Sequence, residues 1–211
     1  MRIIAIGGFL GSGKTSILLQ LVSYLNSLKT NPDTEKPHVV ILENEIGEAG
    51  IDDKLIKSQG YIVETMVSGC ICCQMIGEMI HCVNQIKKRI APEWLVIEAT
   101  GMANLTTVVR TLERRAEGVT NISGLIVIDA DRYETIVEKM PGMIRGQIAN
   151  ADAILLNKVD LVNEHQLKEL EQKIKDIGKN ALFFSISARE MIDTHLWKEV
   201  VSQNEKLKFT A

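Results

Sequence analysis

The sequence lacks a long apolar segment. No uninterrupted apolar run approaches the roughly 18–20 residues that a membrane-spanning helix needs. The apolar start at residues 1–6 is too short and too early for a signal peptide. These absences predict a protein without a membrane partner, located in the cytoplasm.

An excess of positive charge is lacking as well. The 24 Lys and Arg against 27 Asp and Glu leave a formal net charge of −3, which argues against nucleic acid as an electrostatic partner. The sequence also has no internal repeat, no low-complexity tract and no interdomain linker. We therefore predict a single domain over residues 1–211, a length sufficient for an α/β fold with a full core.

Cysteine is scarce but concentrated. Three of the four cysteines, Cys70, Cys72 and Cys73, lie within four residues. In a reducing compartment this crowding indicates metal or redox chemistry rather than a disulfide framework. Thiolates suit Zn²⁺ and other soft or borderline ions, and the helix predicted directly after the cysteines favours the thiolate form. The alternative is that these three cysteines are small buried side chains. For Cys82, which lies in the middle of a predicted helix, core packing is the interpretation that we prefer.

Residues 8–15 have the sequence G-F-L-G-S-G-K-T, a complete phosphate-binding loop pattern. An apolar run precedes it and an apolar-periodic segment follows, as the pattern requires. The glycines allow backbone N–H groups to turn onto a polyphosphate, and the helix N-terminus adds positive potential. Lys14, a predicted catalytic residue, would reach the β- and γ-phosphates, and the Thr15 hydroxyl would bind Mg²⁺. The nucleotide-binding residues predicted here are Gly8, Gly11, Ser12, Gly13, Lys14, Thr15 and Ser16.

Apolar runs alternate with helical patterns along the whole chain. Strands that are apolar on both faces predict a three-layer α/β fold, the P-loop NTPase fold, with a mostly parallel central sheet flanked by helices. Ligands of such sheets bind beyond the carboxyl ends of the strands, so the motifs that follow the strands are expected to share one site. The predicted strands span residues 2–7, 38–43, 61–64, 94–98, 122–129, 153–157 and 181–185, and the predicted helices span 14–27, 74–90, 104–116, 132–139, 164–177 and 194–202.

The sequence N-K-V-D follows a predicted strand and matches the base-recognition element of P-loop GTPases. The Asp160 carboxylate can accept hydrogen bonds from guanine N1–H and the exocyclic amine, whereas adenine would leave it unsatisfied. Asn157 can reach the base N7, and the stem of Lys158 can pack on the base face. After the next strand, Ser187 and Ala188 begin an S-A-R sequence, which resembles the element whose backbone amide contacts guanine O6. We therefore predict GTP rather than ATP.

Two acidic segments follow other strands. Glu98 ends an apolar strand and can hold Mg²⁺ through water or orient the attacking water, and Gly101 can offer its amide to the γ-phosphate. Both are predicted catalytic residues. The sequence E-N-E-I-G-E at residues 43–48 follows the second strand, with a solvated acidic loop as the alternative interpretation. If the loops meet, Glu43 or Glu48 would add an oxygen ligand to a metal held by the three thiolates.

Together these motifs resemble those of the CobW-like metal-chaperone GTPases, relatives of the UreG and HypB nickel-insertion GTPases. The resemblance runs from residue 2 to about residue 190, and its specific part is the C-I-C-C sequence inside a GTPase. It implies a domain that hydrolyses GTP to GDP, binds a transition metal, and passes it to a client metalloprotein or cofactor-assembly protein. Family members tend to pair subunits, which implies a homodimer. The matching segments are residues 7–15, 43–48, 69–73, 97–101, 129–130 and 157–160.

Many CobW-like proteins continue into a second C-terminal domain, often with a histidine-rich stretch. This sequence ends at residue 211 and has four scattered histidines, so we predict the GTPase domain alone, without a separate C-terminal domain. Three other functions stay open. They are a regulatory GTPase switch with structural cysteines, a metal buffer with little hydrolysis, and a nucleotide kinase, against which Asp160 argues.

Overall fold

A computed structural model describes residues 1–29, 37–45, 62–67, 73–99 and 103–206. Within these ranges seven strands form one sheet in the order β3-β2-β4-β1-β5-β6-β7, and all six neighbouring pairs are parallel. The strands are β1 (Arg2–Gly8), β2 (Val39–Glu45), β3 (Ile62–Val67), β4 (Trp94–Glu98), β5 (Asn121–Asp129), β6 (Ala153–Asn157) and β7 (Leu182–Ile186).

Helices connect consecutive parallel strands wherever the connection is described, which is the case for every pair except β2 and β3. Among the described residues, none of the helices has both the length and the apolar character needed to cross a membrane. The helices are α1 (Lys14–Ser27), α2 (Cys73–Arg89), α3 (Leu105–Arg115), α4 (Tyr133–Lys139), α5 (Pro141–Ala149), α6 (Glu164–Ile177) and α7 (Thr194–Lys206), and a 3₁₀ turn spans Val159–Leu161.

The central strands are apolar on both faces because helices cover both faces. In β1, Ile4 and Ile6 belong to a core that includes side chains of α1 and α7. Their neighbours Ile3 and Ala5 belong to a second core that includes side chains of α2 to α6. Strands β5 and β6 are buried along their whole length. The sheet is therefore the middle of three layers, and burial of apolar surface on both sides stabilises it.

The predicted fold is confirmed, and each predicted strand and helix is present with bounds within a few residues of those expected. The sequence-based prediction missed α5. Its sequence P-G-M-I-R-G-Q-I-A contains two glycines and a proline, which are poor helix formers in a helix interior. The structure resolves this conflict because Pro141 lies in the first turn, where proline is tolerated, and Ile144 and Ile148 are buried in the core.

The parallel register brings the carboxyl ends of the strands to one edge of the sheet. Glu98 at the end of β4 pairs with Glu43 of β2, and Asp129 at the end of β5 pairs with Asn157 of β6. Strand β1 runs between β4 and β5 and leads directly into the phosphate loop. Chemically active side chains therefore flank the loop on both sides.

Asp152 makes the stability of this fold depend on pH. Its Oδ2 accepts a hydrogen bond from the N–H of Gly124 at 2.7 Å. Burial raises the pKa of the Asp152 carboxyl above its ordinary value of 3.8, and the Gly124 N–H opposes this rise. A raised pKa in the folded protein means that ionisation of Asp152 opposes folding. This cost is absent below the unfolded pKa and is fully present once the pH exceeds the folded pKa.

Asp152→Asn, which keeps an acceptor for the Gly124 N–H, is therefore expected to raise the melting temperature at pH 7. The gain should shrink as the pH falls and vanish below the ordinary value of 3.8, where wild-type Asp152 becomes protonated in both states. Thermal melts at a series of pH values measure this dependence. Asp176→Asn, on the exposed surface of α6, makes the same charge change without burial and serves as the control. A gain that does not vary with pH would contradict the prediction.

Candidate functional site

The phosphate loop connects the end of β1 to α1. Gly8, Gly11 and Gly13 have φ angles of +146°, +77° and +95°, which side chains with a Cβ rarely adopt. A side chain at two of these positions would also collide with neighbouring atoms. A Cβ on Gly8 would lie 2.4 Å from the carbonyl oxygen of Val127, and one on Gly13 would lie 2.4 Å from Nδ2 of Asn157. The loop therefore requires glycine at positions 8 and 13 for two independent reasons.

Helix α1 begins directly after the loop with Lys14. This lysine is 7% exposed, and its Nζ donates a hydrogen bond to the carbonyl oxygen of Phe9 at 3.3 Å, so the ammonium lies over the loop. The helix has no side-chain N-cap and no acidic residue in its first turn. Its N-terminal N–H groups and dipole therefore favour a bound anion.

Thr15, Glu98 and Glu43 lie beside the loop. The Thr15 hydroxyl is 3.3 Å from Oε1 and 3.4 Å from Oε2 of Glu98 and donates to this carboxylate. Glu98 and Glu43 are register partners on adjacent strands, and partners in register share a face of the sheet. Glu43 is 5% exposed, and Ile41, two residues earlier, belongs to the core on the α1 face. Hydroxyl and carboxylate oxygens are the ligands that Mg²⁺ prefers, so these residues fit a magnesium ion.

Cys73 lies on a different layer. It is the first residue of α2, and α2 buries Met79 and Val83 in the core on the other face of the sheet. Glu43 shares its face with Glu98 rather than with α2. Its predicted role as a ligand of the transition metal stays a prediction, while its position beside Glu98 places it next to the candidate magnesium site.

A pocket of about 190 Å³ opens at the carboxyl ends of β6 and β7. It brings the phosphate loop together with the N-K-V-D and S-A-R motifs, as their positions after neighbouring strands predict. Ser16, in the first turn of α1, also contributes to its wall. The lining residues are Gly13, Ser16, Asn157, Lys158, Asp160, Leu161, Ser187, Ala188 and Arg189.

Asn157 links the two parts of this site. It is 2% exposed, its Nδ2 donates to the carbonyl oxygen of Ser12 at 2.8 Å, and its Oδ1 accepts from the N–H of Ala188 at 2.9 Å. The second amide hydrogen of Asn157 is available for the predicted contact with the base N7. The Ala188 N–H was expected to contact guanine O6, and it would have to share its hydrogen with Asn157 to do so. Both base contacts stay predictions.

A buried carboxylate holds Lys158 in place. Lys158 has a φ of +65°, and its Nζ lies 2.7 Å from Oδ2 of Asp129, whose side chain is 1% exposed. Oδ1 of Asp129 accepts from the N–H groups of Asp131 and Arg132 at 3.1 and 3.3 Å. The ammonium of Lys158 is therefore fixed, which orients its stem along the pocket. Asp129 was not among the predicted site residues, although residues 129–130 were one of the segments that carry the family resemblance and Asp129 ends an apolar strand.

Asp160 is held in its ionised form. The largest cause is the Ser187 hydroxyl, which donates a hydrogen bond to the carboxylate and lowers the pKa of Asp160 below its ordinary value. A backbone N–H and the guanidinium of Arg189, whose Nη1 lies 2.9 Å from Oδ2 of Asp160, lower the pKa further. An ionised carboxylate is an acceptor only, which suits the two donors of guanine and not the N1 acceptor of adenine.

The structure does not describe the side chains of the remaining predicted site residues. Gly101, Glu48, Cys70 and Cys72 lie outside the described residues, and for Cys73 only the backbone is described. In the described part of the chain, no group of three His, Cys, Asp or Glu side chains is placed to hold a metal ion. The transition-metal site therefore stays a prediction.

These features define a class: nucleotide-binding proteins built on a P-loop, with an N-K-V-D motif beside the loop. Within that class, the chain belongs to the family described as CobW/HypB/UreG, nucleotide-binding domain, which matches residues 2–185. The resemblance inferred from the motifs is thereby confirmed.

Curated relatives of this chain are metal-handling proteins by name. It is 28% identical over 188 residues to the zinc chaperone YjiA of Escherichia coli (strain K12), covering 85% of this chain and 55% of the relative. It is 29% identical to the zinc-regulated GTPase metalloprotein activator 1 of Schizosaccharomyces pombe, covering 81% and 42%. It is 30% identical to the zinc chaperone YeiR of E. coli, covering 90% and 56%. The chain spans about half the length of these relatives.

Solved structures share the fold. HypB from Helicobacter pylori in complex with nickel superposes with a TM-score of 0.63 at 18% identity, covering 100% of this chain and 91% of that one. The Zn(II)-bound YjiA GTPase from E. coli superposes with a TM-score of 0.57 at 22% identity, covering 92% and 60%. At these identities the likeness concerns the fold alone.

Gly13→Ala is expected to weaken nucleotide binding by roughly tenfold or more, because the new Cβ is strained at this φ and meets Nδ2 of Asn157. Gly146→Ala in α5 is the matched control. A Cβ there meets nothing within 4 Å, and alanine favours a helix interior by up to about 1 kcal/mol. Calorimetric titration with GDP and a thermal melt of both variants measure the difference. Wild-type affinity in Gly13→Ala would show that nucleotide does not use this loop geometry.

Proposed function

We propose that this protein binds and hydrolyses GTP and couples its nucleotide state to the carriage of a transition metal, with zinc as the default. The metal would be held by Cys70, Cys72 and Cys73 and passed to a client metalloprotein or cofactor-assembly protein. The observation that carries the GTP assignment is the ionised Asp160 in a pocket that Asn157 joins to the phosphate loop. The metal assignment is supported by the cysteine motif and by relatives named zinc chaperones.

Each nucleotide-binding group has a defined task in this proposal. Lys14 neutralises the β- and γ-phosphates from above the loop, and the N-terminus of α1 supplies N–H donors. Thr15 and Glu98 would hold Mg²⁺, which supplies charge neutralisation to the transferring phosphoryl group when bound. Glu98 also orients the attacking water, and the Gly101 amide stabilises the γ-phosphate. Hydrolysis by the protein alone is expected near the intrinsic range of P-loop GTPases, ~10⁻⁴–10⁻² s⁻¹.

The strand order supports a connection between nucleotide and metal. Glu45 at the end of β2 is the register partner of Val67 at the end of β3, and adjacent strands lie roughly 5 Å apart. Residues 43–45 of the acidic segment end β2 and the rest follows it in the sequence, while the cysteine segment follows β3, so the two segments continue from neighbouring strand ends. Strand β2 also pairs with β4, whose Glu98 contacts Thr15. A short path therefore runs from the γ-phosphate end of the nucleotide site to the end of β3, after which the cysteine motif follows in the sequence.

Residues 43–50 and 98–101 are the candidate switches. GTP would order them through the γ-phosphate and Mg²⁺, and hydrolysis would relax them, change the thiolate geometry and lower the metal affinity at transfer. Coupling is reciprocal, so bound metal must change the affinity for GTP by the same factor. A homodimer formed around the nucleotide or the metal, working in the cytoplasm, completes the proposal.

Asp160→Asn is expected to lower the affinity for GTP by roughly 100-fold, because the amide cannot accept two hydrogen bonds from guanine. The same change should favour xanthosine triphosphate, whose carbonyl at C2 accepts from the new amide. Binding and hydrolysis of GTP, ATP and the xanthine nucleotide measure the shift, with Asp176→Asn as the exposed control. A wild-type protein that prefers ATP, or a variant that still prefers GTP, would refute the guanine assignment.

Replacing Cys70, Cys72 and Cys73 together with Ser is expected to abolish bound zinc, measured by elemental analysis of protein purified without a metal-affinity tag. Cys82→Ser is the matched control. Cys82 packs against the core, and burial with the nearby Glu64 and Glu78 raises the pKa of its thiol, which disfavours the thiolate that binds metal. Unchanged zinc content in the triple variant would refute the site.

The coupling is measured on the same two proteins. Zn²⁺ is expected to change the affinity of the wild type for a non-hydrolysable GTP analogue and to leave that of the triple variant unchanged. Equal affinities with and without Zn²⁺ in the wild type would favour a GTPase switch with structural cysteines or a simple metal buffer.

A further inference from the structure

Gln20, a half-buried residue of α1, contacts the loop that follows β7. Its Nε2 donates to the carbonyl oxygens of Ala188 and Glu190, at 3.3 and 3.1 Å. Its Oε1 accepts from the N–H of Ile192 at 2.8 Å. Both ends of one side-chain amide therefore bind the backbone of residues 187–192, which we call the base loop.

The base loop is anchored at its end by Ile192, which is 8% exposed in the core, and along its length by side chains from neighbouring elements. It follows β7, an edge strand of the sheet, and Met191 within it is 87% exposed. Inside the loop, the Glu190 N–H donates to the carbonyl oxygen of Ser187 at 3.0 Å. From the sheet, Asn157 accepts from the Ala188 N–H. Asn157 therefore holds the loop on one side and Gln20 holds it on the other.

The residues that act on Asp160 lie on this loop. Ser187 and Arg189 both bond to the Asp160 carboxylate and keep it ionised. Arg189 lies between Ala188 and Glu190, the two residues whose carbonyl groups Gln20 binds. A shift of the base loop would therefore move the partners of Asp160 and change the acceptor geometry offered to a base.

We propose that Gln20 is a positioning residue for base recognition, which fixes the base loop relative to the phosphate loop and thereby sets selectivity for guanine. This inference rests on the GTP binding proposed above. Gln20 and Thr15 belong to one helix and are separated by about 7.5 Å along its axis, at 1.5 Å per residue. One rigid element thus sets both the phosphate end and the base end of the site. Gln20 itself does not line the pocket.

Two kinds of role make different predictions. A residue that only stabilises the fold would, when replaced, lower the melting temperature and weaken every nucleotide ligand to the same degree. A positioning residue for the base loop would change the binding of ligands that carry a base and leave base-free ligands unaffected, because the phosphate loop and the start of α1 do not depend on Gln20.

The test uses Gln20→Met, which has a similar size and helix propensity but no hydrogen-bonding amide. Gln172→Met on α6 is the matched control, since its amide bonds only within the helix, to Asp176 at 2.9 Å. Calorimetric titration measures affinity for GDP, for IDP, which lacks the exocyclic amine, and for magnesium pyrophosphate, which lacks the base. Thermal melts accompany each titration.

In Gln20→Met, GDP is expected to bind roughly tenfold more weakly, and the preference for GDP over IDP should fall, while pyrophosphate affinity stays within about twofold of wild type. Gln20→Ala should give the same pattern, and Gln172→Met should match wild type. Unchanged GDP affinity, or a parallel loss for GDP and pyrophosphate, would overturn the inference. A wild type that binds IDP as tightly as GDP would instead refute the guanine assignment itself.

Discussion

The side-chain amide of Asn157 is the interaction on which the rest of the site depends. Its donor end binds the phosphate loop at Ser12 and its acceptor end binds Ala188, so a single buried group sets the distance between them. Loss of either partner would leave a polar atom buried without a hydrogen bond, at a cost of about 1–3 kcal/mol. The same amide leaves no room for a side chain at Gly13. The glycine of the loop and the asparagine of the base motif therefore form one steric unit.

The acidic residues of the site form two groups, one on each side of the phosphate loop. On the β2–β4 side, two carboxylates, Glu43 and Glu98, sit as neighbours on one face, an arrangement that favours a cation between acid and phosphate. On the β5–β6 side, the acids are compensated within the protein, Asp129 by Lys158 and Asp160 by Arg189. The first side offers the oxygen ligands that a magnesium ion prefers, and the second carries the groups proposed to bind the base.

Much of this could be predicted from the sequence, because the phosphate loop and the N-K-V-D motif are contiguous and their function follows from local backbone geometry. Contacts between residues that lie far apart in the sequence could not be predicted in this way. Gln20 sits in an ordinary helix, and its target lies more than 160 residues later. Asp129 and Lys158 meet only because β5 and β6 are adjacent. Helix α5 was missed because its glycines disfavour a helix until the core buries Ile144 and Ile148.

The strand order separates the base pocket from the strand that leads to the cysteine motif. The base pocket belongs to β6 and β7 at one margin of the sheet, whereas β3, which leads to the cysteine motif, forms the opposite margin. A recipient protein approaching the β3 margin would leave the base pocket uncovered. Under the proposed function, metal transfer at one edge of the sheet and nucleotide exchange at the other would therefore not obstruct each other.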